Sequence, residues 1–245
     1  MISIVIPVRN DAEALRRSLD HLEGLREREH TEVIVAAADA GVDTVSAVHG
    51  RAQLLVPGGS TRAALMNAGA AAARGEILWF LHADSLPPGD GLAFIARSMN
   101  DERVVGGAFA HRFSEPARSL VVISLINRVR YRLTRNYYGD QGLFIRAAVF
   151  RRLGGYPAVA LMEDLILSQR LKRMGPTTLI GTPLLTSGRR FLGRGPWRTL
   201  GFIIWLLFLH TLGLDTERYA NRWRGPADRQ PGSPWAVSPQ QSSAS

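Results

Sequence analysis

Apolar and polar positions follow two periods in alternating blocks along this chain. Ile2-Ser3-Ile4-Val5-Ile6-Pro7 is a short apolar run rich in β-branched residues, which predicts a buried strand. Residues 11–25 then bring Ala14, Leu15, Leu19, Leu22 and Leu25 to one helical face. Thr31 to Ala37 (TEVIVAA) reads as a second buried strand and Gln53 to Val56 as a short third. A turn at Pro57-Gly58-Gly59-Ser60-Thr61 leads into a helix from Ala63 to Ala73, with Ser60 or Thr61 as its cap and Gly75 as its stop. Glu76 to Leu81 is the fourth and most apolar strand. This strand–helix alternation predicts an α/β fold, with a mostly parallel central sheet flanked by helices. Ligands of such sheets sit beyond the carboxyl ends of the strands. The pattern places Asp39 at that edge after the second strand, and His82-Ala83-Asp84 there after the fourth.

The second half is less regular. Val104 to Phe113 predicts a strand with a Gly-Gly bend, and Arg118 to Arg135 a helix with an apolar stripe and a basic side. Tyr138 to Gly142 forms a loop before a Leu143-Phe144-Ile145 strand. A short helix follows from Ala147 to Leu153, and Glu163-Asp164 opens another that runs through Met174. Residues 197–214 are strongly apolar, but the unbroken core runs only from Phe202 to Leu209. A spanning helix needs roughly 20 apolar residues. Three readings stay open: a helix lying in a membrane interface, a helix buried in a homodimer, or a core helix. Trp197, Trp205, Arg189-Arg190 and Arg194 favour the interface, and the 118–135 helix, with five arginines and no acidic residue, suits the same surface. From Gly225 onward Pro, Ser, Gln and Gly dominate, which reads as a disordered tail. The expected division is a catalytic domain at 1–196, an apolar helical segment at 197–223 and a tail at 224–245.

Composition narrows the function classes. The chain has 245 residues, 46% of them hydrophobic, enough for one sizeable core. It contains no cysteine, which excludes disulfides and thiolate metal sites. The first residues lack a basic stretch and a cleavage site, so they read as a strand rather than a signal peptide. A cytoplasmic location is expected, with peripheral attachment to the inner face of the cell membrane as its extension. The net charge of +9 is carried almost wholly by arginine, Lys172 being the only lysine. It suits a solvated basic surface, a diphosphate or an anionic membrane. No nucleic-acid-binding module is visible, so that partner is not expected.

Four features can carry chemistry. A carboxylate at a strand end, with a partner two residues earlier on the same face, can offer ligands to one cation. Asp84 and His82 have that spacing. Mg²⁺ or Mn²⁺ there would bridge to a diphosphate, and imidazole suits Mn²⁺ better than Mg²⁺. The bland reading is a turn-capping Asp84 and a satisfied histidine. Asp164, at a helix start, reads either as an ordinary N-terminal helix acid or as a general base. Asp140-Gln141, between glycines, forms either a plain turn or a grip on a sugar or acceptor. Gly58-Gly59-Ser60 opens a helix and can hold an anion, with Arg62 reinforcing a diphosphate contact.

The order of these segments resembles the GT-A glycosyltransferases of family 2, and most of all the bacterial subgroup labelled selenodomain-associated transferase 2. The likeness runs over about residues 1–223. It is carried by Ile4-Val5-Ile6-Pro7-Val8-Arg9-Asn10-Asp11, Met66-Asn67-Ala68-Gly69-Ala70 and Leu81-His82-Ala83-Asp84-Ser85, followed in order by Gly106-Gly107-Ala108-Phe109, Tyr138-Gly139-Asp140-Gln141-Gly142 and Met162-Glu163-Asp164. The resemblance implies a hexosyltransferase that takes a nucleotide-diphosphate sugar and a divalent cation, Mn or Mg. Pro7, Val8, Asn10 and Asp11 would line the nucleotide pocket, with Arg62 near the diphosphate. Asp84 would be the metal-binding acid of the D-x-D-like element and touch the nucleotide-sugar, with His82 as second ligand. Asp164 would be the base, and Gly139, Asp140, Gln141 and Glu163 would border the acceptor. Two departures stand out. The family's V-D-G-G-S-x-D stretch reads Ala36-Ala37-Ala38-Asp39-Ala40-Gly41-Val42-Asp43, so either Asp39 takes over base recognition or base selectivity is lost. His82 stands where many members carry a first Asp.

These roles combine into an inverting single displacement, in which Asp164 deprotonates an acceptor hydroxyl and the cation at Asp84 stabilises the leaving diphosphate. The competing reading is a non-catalytic nucleotide-binding or scaffolding module, suggested by Ala36-Ala37-Ala38. Nucleotidyl transfer and NAD chemistry lack their glycine-rich phosphate loops. The acceptor is unassigned, with a lipid-linked one suggested by 197–214 and 118–135.

Overall fold

A computed structural model describes residues 1–25, 30–59 and 61–224. Ser60, one of the two expected caps, and the tail from Gly225 lie outside the described residues. Strand β1 (Ile2–Val8) is buried along its whole length and pairs in parallel with β2 (Thr31–Ala37) and β4 (Ile77–Phe80). β3 (Gln53–Leu55) extends the parallel set beyond β2. Both faces of β1 are covered: Ile4 and Ile6 enter one core cluster and Val5 another. This two-sided burial is why β1 is an unbroken apolar run instead of an alternating one.

Helix α1 (Ala12–Glu23) buries Ala14, Leu15, Ser18, Leu19 and Leu22, the expected face. Each buried leucine stabilises the fold by roughly 1.5–3 kcal/mol. Asp11 caps α1, its side chain accepting from the backbone N–H of Ala14 at 3.3 Å. Three short helices were not anticipated, α8 (Arg189–Arg194) late in the chain and, earlier, α2 (Val42–Val48) and α4 (Gly91–Ser98). Between α2 and α4, α3 (Arg62–Ala72) is capped by the Thr61 side chain. It stops at Ala73 in an extended conformation, so Gly75 is not its stop. The Gly75 N–H instead donates to Ser3 Oγ at 2.8 Å and packs the chain against β1.

The sheet continues from β4 through β7 (Phe144–Arg146), β6 (Gly106–Phe113), β8 (Thr177–Thr186) and the two-residue β5 (Ser85–Leu86). The full order is β3-β2-β1-β4-β7-β6-β8-β5, parallel except at β7 and β5. The Gly-Gly bend expected in β6 is absent. Gly106 and Gly107 hold regular pairing positions, where a Cβ on Gly106 would lie 2.5 Å from the Phe144 carbonyl oxygen. The irregularity falls two residues later, where Phe109 faces Ile180 and Ala110 faces Pro183, leaving Gly181 and Thr182 as the bulge. Gly181 and Pro183 also break the pattern that would have revealed β8 in the sequence.

The remaining helices are α5 (Arg118–Thr134), α6 (Ala147–Arg152), α7 (Glu163–Leu171), α8 (Arg189–Arg194), α9 (Pro196–Thr211) and α10 (Ala220–Arg224). The apolar segment at 197–223 does not stand apart from the 1–196 body. Leu206 and Ala220 form a core cluster with Leu161, joined by Met162, Phe202, Tyr219 and Trp223. Among the described residues, no helix is long and apolar enough to cross a membrane.

Candidate active site

The carboxyl ends of β1 and β4, the start of α7 and the end of β8 converge on a cavity of about 440 Å³. Pro7, Val8 and Asp11 line it from β1, His82 and Asp84 from β4, and Glu163 and Asp164 from α7. Gly139 and Asp140, from a 3₁₀ turn at Gly139–Gln141, border it, as do Arg62, Arg189 and Arg190.

Arg62 is the hub of the first charge cluster. Its Nε donates to Glu163 Oε1 at 2.7 Å, and its guanidinium also pairs with Asp164. The same guanidinium lies 2.7 Å from His82 Nε2. Arginine has no acceptor, so His82 Nε2 accepts and the ring is neutral. Burial holds the His82 pKa well below its ordinary value, with Arg62, Arg190 and His111 adding to the effect. One guanidinium thus serves two buried carboxylates, and the trio carries a net negative charge. Asp164 bears the strain of that excess: burial raises its pKa to about 7, against the pull of Arg62 and with help from Glu163 and Asp140. Its Oδ1 is buried without a hydrogen-bond partner among the described residues. Burial opposes the charge of Arg62 as well, but Asp164 and Glu163 outweigh it and its pKa rises.

Met162 reaches α7 with a positive φ of 66° and places Glu163 and Asp164 on the first turn. Gly139 lies against the pair that matters: a Cβ there would sit 2.5 Å from both Asp164 Oδ2 and His82 Nε2. Only a glycine lets the 139–141 turn approach so closely. Gln141 is buried and structural. It accepts from the Tyr138 N–H at 3.0 Å and donates to the Phe109 carbonyl at 3.1 Å.

Arg189 organises a second cluster. It pairs with Asp11 and lies 3.9 Å from Asp84 Oδ2. Burial raises the Asp84 pKa, Arg189 opposes that, and Asp11 adds to it. His82 and Asp84, spaced as a ligand pair in sequence, therefore engage different arginines. Among the described residues no three His, Asp or Glu side chains gather into a metal-sized group. A cation held by one or two carboxylates together with substrate phosphates and water needs no such cage. Asp84, with Asp11 on the same guanidinium, fits that mode, whereas His82 Nε2 is already taken by Arg62.

Two expected nucleotide contacts lie off the cavity wall. Asn10 is exposed with φ 50°, and Asp39 is exposed with its Oδ1 accepting from the Gly41 N–H at 3.0 Å. Arg189 and Arg190 were expected only as a basic stretch before α9. Their place at the cavity follows from the end of β8 at Thr186, and β8 was the strand that the sequence pattern concealed.

Known structures share this architecture. A mannosyltransferase from Pyrobaculum calidifontis in complex with GDP-Man and Mn²⁺ matches with a TM-score of 0.61 at 21% identity, over 76% of this chain and 56% of that one. TarS 1–349 from S. aureus in complex with UDP-GlcNAc matches at 0.59 with 15% identity, over 77% and 58%. The chain thus spans less than two thirds of the length of either. Glucosyl-3-phosphoglycerate synthase from Mycobacterium tuberculosis, in complex with Mn²⁺, UDP and glucosyl-3-phosphoglycerate, matches at 0.60 with 16% identity, over 88% and 81%. No curated protein shows a significant sequence match. The fold is the GT-A fold of these glycosyltransferases. Asp84 and Arg62 fall within residues 3–152 and Asp164 beyond them; those residues match Glycosyl transferase family 2 over more than half of the chain, and the chain belongs to that family.

Proposed function

We propose that this chain transfers a hexosyl group from a nucleotide-diphosphate sugar to an acceptor hydroxyl, with inversion at the anomeric carbon. The observation that carries this is Asp164: a buried carboxylate with an unpartnered oxygen, at the wall of a cavity beyond the strand ends. A base is most effective when its pKa lies near the working pH, and Asp164, at about 7, has that property. Asp164 takes the proton of the acceptor hydroxyl, whose oxygen bonds to the anomeric carbon from the face opposite the diphosphate. The bond from that carbon to the phosphate oxygen breaks, and the diphosphate leaves with the electron pair.

Pro7, Val8 and Asp11 border the donor side, while Asn10 and Asp39 are exposed off the cavity wall. Asp84 would hold the divalent cation, Mn or Mg, with Asp11 beside it. Such a cation supplies the positive charge that stabilises the departing diphosphate. Arg189, now paired with both carboxylates, is placed to turn to the phosphates. Gly139, Asp140 and Glu163 flank the acceptor side, and Gln141 holds that turn in place. Residues 1–196 form the transfer domain in this reading, and 197–223 complete its acceptor wall. The structural neighbours' complexes with GDP-Man, UDP-GlcNAc and UDP support a nucleotide-sugar donor, and those with Mn²⁺ support the cation.

The test is Asp164→Asn. Transfer should fall by at least about a thousandfold, while calorimetric binding of sugar nucleotides in the presence of Mn²⁺ stays within about threefold of wild type. Near-full turnover by this variant would remove Asp164 as the base. Binding without transfer by the wild type, across a broad acceptor panel, would instead assign a nucleotide-binding module.

A further inference from the structure

The cavity has two chemically different halves. Arg62, His82, Asp84, Glu163 and Asp164 make the polar half. Ile123 from α5 and Leu200, Ile203, Leu206 and Leu207 from α9 line the other. The same two helices turn a second apolar face outward. Val121, Val122, Leu125, Ile126 and Val129 of α5 are exposed, as are Ile204, Trp205 and Phe208 of α9. Leu125 is 60% exposed and Phe208 52%, so this is an uncovered surface and not a frayed edge.

Charge decides what covers it. α5, α8 and α9 contain no acidic residue. Arg118, Arg128 and Arg132 of α5 and Arg198 of α9 are exposed beside the apolar residues. Arg130 is the exception: it is half-buried, with its guanidinium 3.7 Å from the Tyr138 ring centroid. Packing this face on a second copy would bring arginine against arginine. An anionic leaflet satisfies both its apolar and its cationic parts. α9 is too short to span, so the pair lies along the surface.

We infer that the α5–α9 face rests on an anionic membrane leaflet, and that the apolar half of the cavity takes the hydrocarbon chain of an acceptor lipid whose hydroxyl reaches Asp164. What happens at Asp164 rests on the sugar-transfer reading; the docking does not.

The docking test is flotation of the full chain with vesicles of phosphatidylcholine alone or with about 30% phosphatidylglycerol. The wild type should float with the anionic vesicles and remain behind with the neutral ones. Trp205→Glu/Phe208→Glu and, separately, Leu125→Glu/Ile126→Glu should lose flotation while keeping wild-type circular dichroism. A wild type that never floats overturns the inference. So does a dimer in sedimentation velocity that these variants convert to a monomer, because the face is then a self-interface. The chain subsite is tested by thermal shift with n-octyl β-glucoside below its micelle threshold, against glucose. The alkyl glucoside should raise the Tm, glucose should not, and Ile203→Trp should abolish the rise. Equal responses to both sugars would overturn the lipid-chain assignment. Sugar-nucleotide calorimetry on the same samples separates the two readings. Donor binding without flotation sinks only this inference, and flotation without donor binding sinks only the transfer reading.

Discussion

Asp164 illustrates how little a residue's identity says without its neighbours. A carboxylate at a helix start is ordinarily stabilised as the anion. Here burial and Glu163 outweigh both the helix terminus and Arg62, and the proton is held to about 7. Transfer should therefore rise with pH up to about 7 and then level off, in a pH–rate profile at saturating donor. The stability effect has the opposite sign. The folded pKa lies above the ordinary 3.8, so the folded state holds the proton more tightly and stability falls as pH rises from 3.8 to about 7. Asp164→Asn should relieve that cost, raising the Tm at about pH 8 more than at about pH 4 in parallel thermal melts. The candidacy of Asp164 was legible from its place in Glu163-Asp164. Its pairing with Arg62 was not, because the two are 102 residues apart and meet only when α3 and α7 flank the same cavity.

Elements place these residues, and close backbone approach at two glycines matters for different reasons. The 139–141 turn presses its backbone against Asp164 and His82, so Gly139→Ala should displace both. A loss of about 1–3 kcal/mol in denaturant unfolding is expected, with transfer reduced at least about tenfold. Gly107→Ala acts on the sheet instead, because β6 there runs against the Phe144 ring and the Thr178 backbone. It should cost a similar amount in stability while leaving the site residues intact, which unfolding melts and donor binding together would show. The sequence pattern found β1, β2, β4, α1 and α3 because each carries a clear period. It did not find α2 or α4, which are short, nor β8, whose period is broken at Gly181 and Pro183.

For the whole molecule, the two charge clusters decide how cation and donor affect stability. Among the described residues no closed metal cage exists, so a chelator alone should leave the Tm of the free protein unchanged. A true donor with Mn²⁺ should raise the Tm by mass action, and the chelator should cancel that rise. A donor that stabilises equally with and without the cation would remove Asp84 as its ligand. Two smaller core clusters fix the outer helices, one around Leu120 and Ile123 of α5 and one around Leu206 of α9. α9 is tied to the body through Leu206 and Leu209 and leaves Trp205 and Phe208 outside, so a single apolar stretch of sequence serves both as wall and as surface.

The sequence by itself determined the parallel β1, β2 and β4 framework and the carboxylates at its edge. Periodicity and strand ends are local properties, written within a few neighbouring residues. Tertiary structure alone decided that His82 joins Arg62 while Asp84 joins Arg189, and that Asp39 faces solvent. Those outcomes depend on which distant side chains share a buried volume. Burial sets both the strength of a charge pair and the cost of leaving a carboxylate without one.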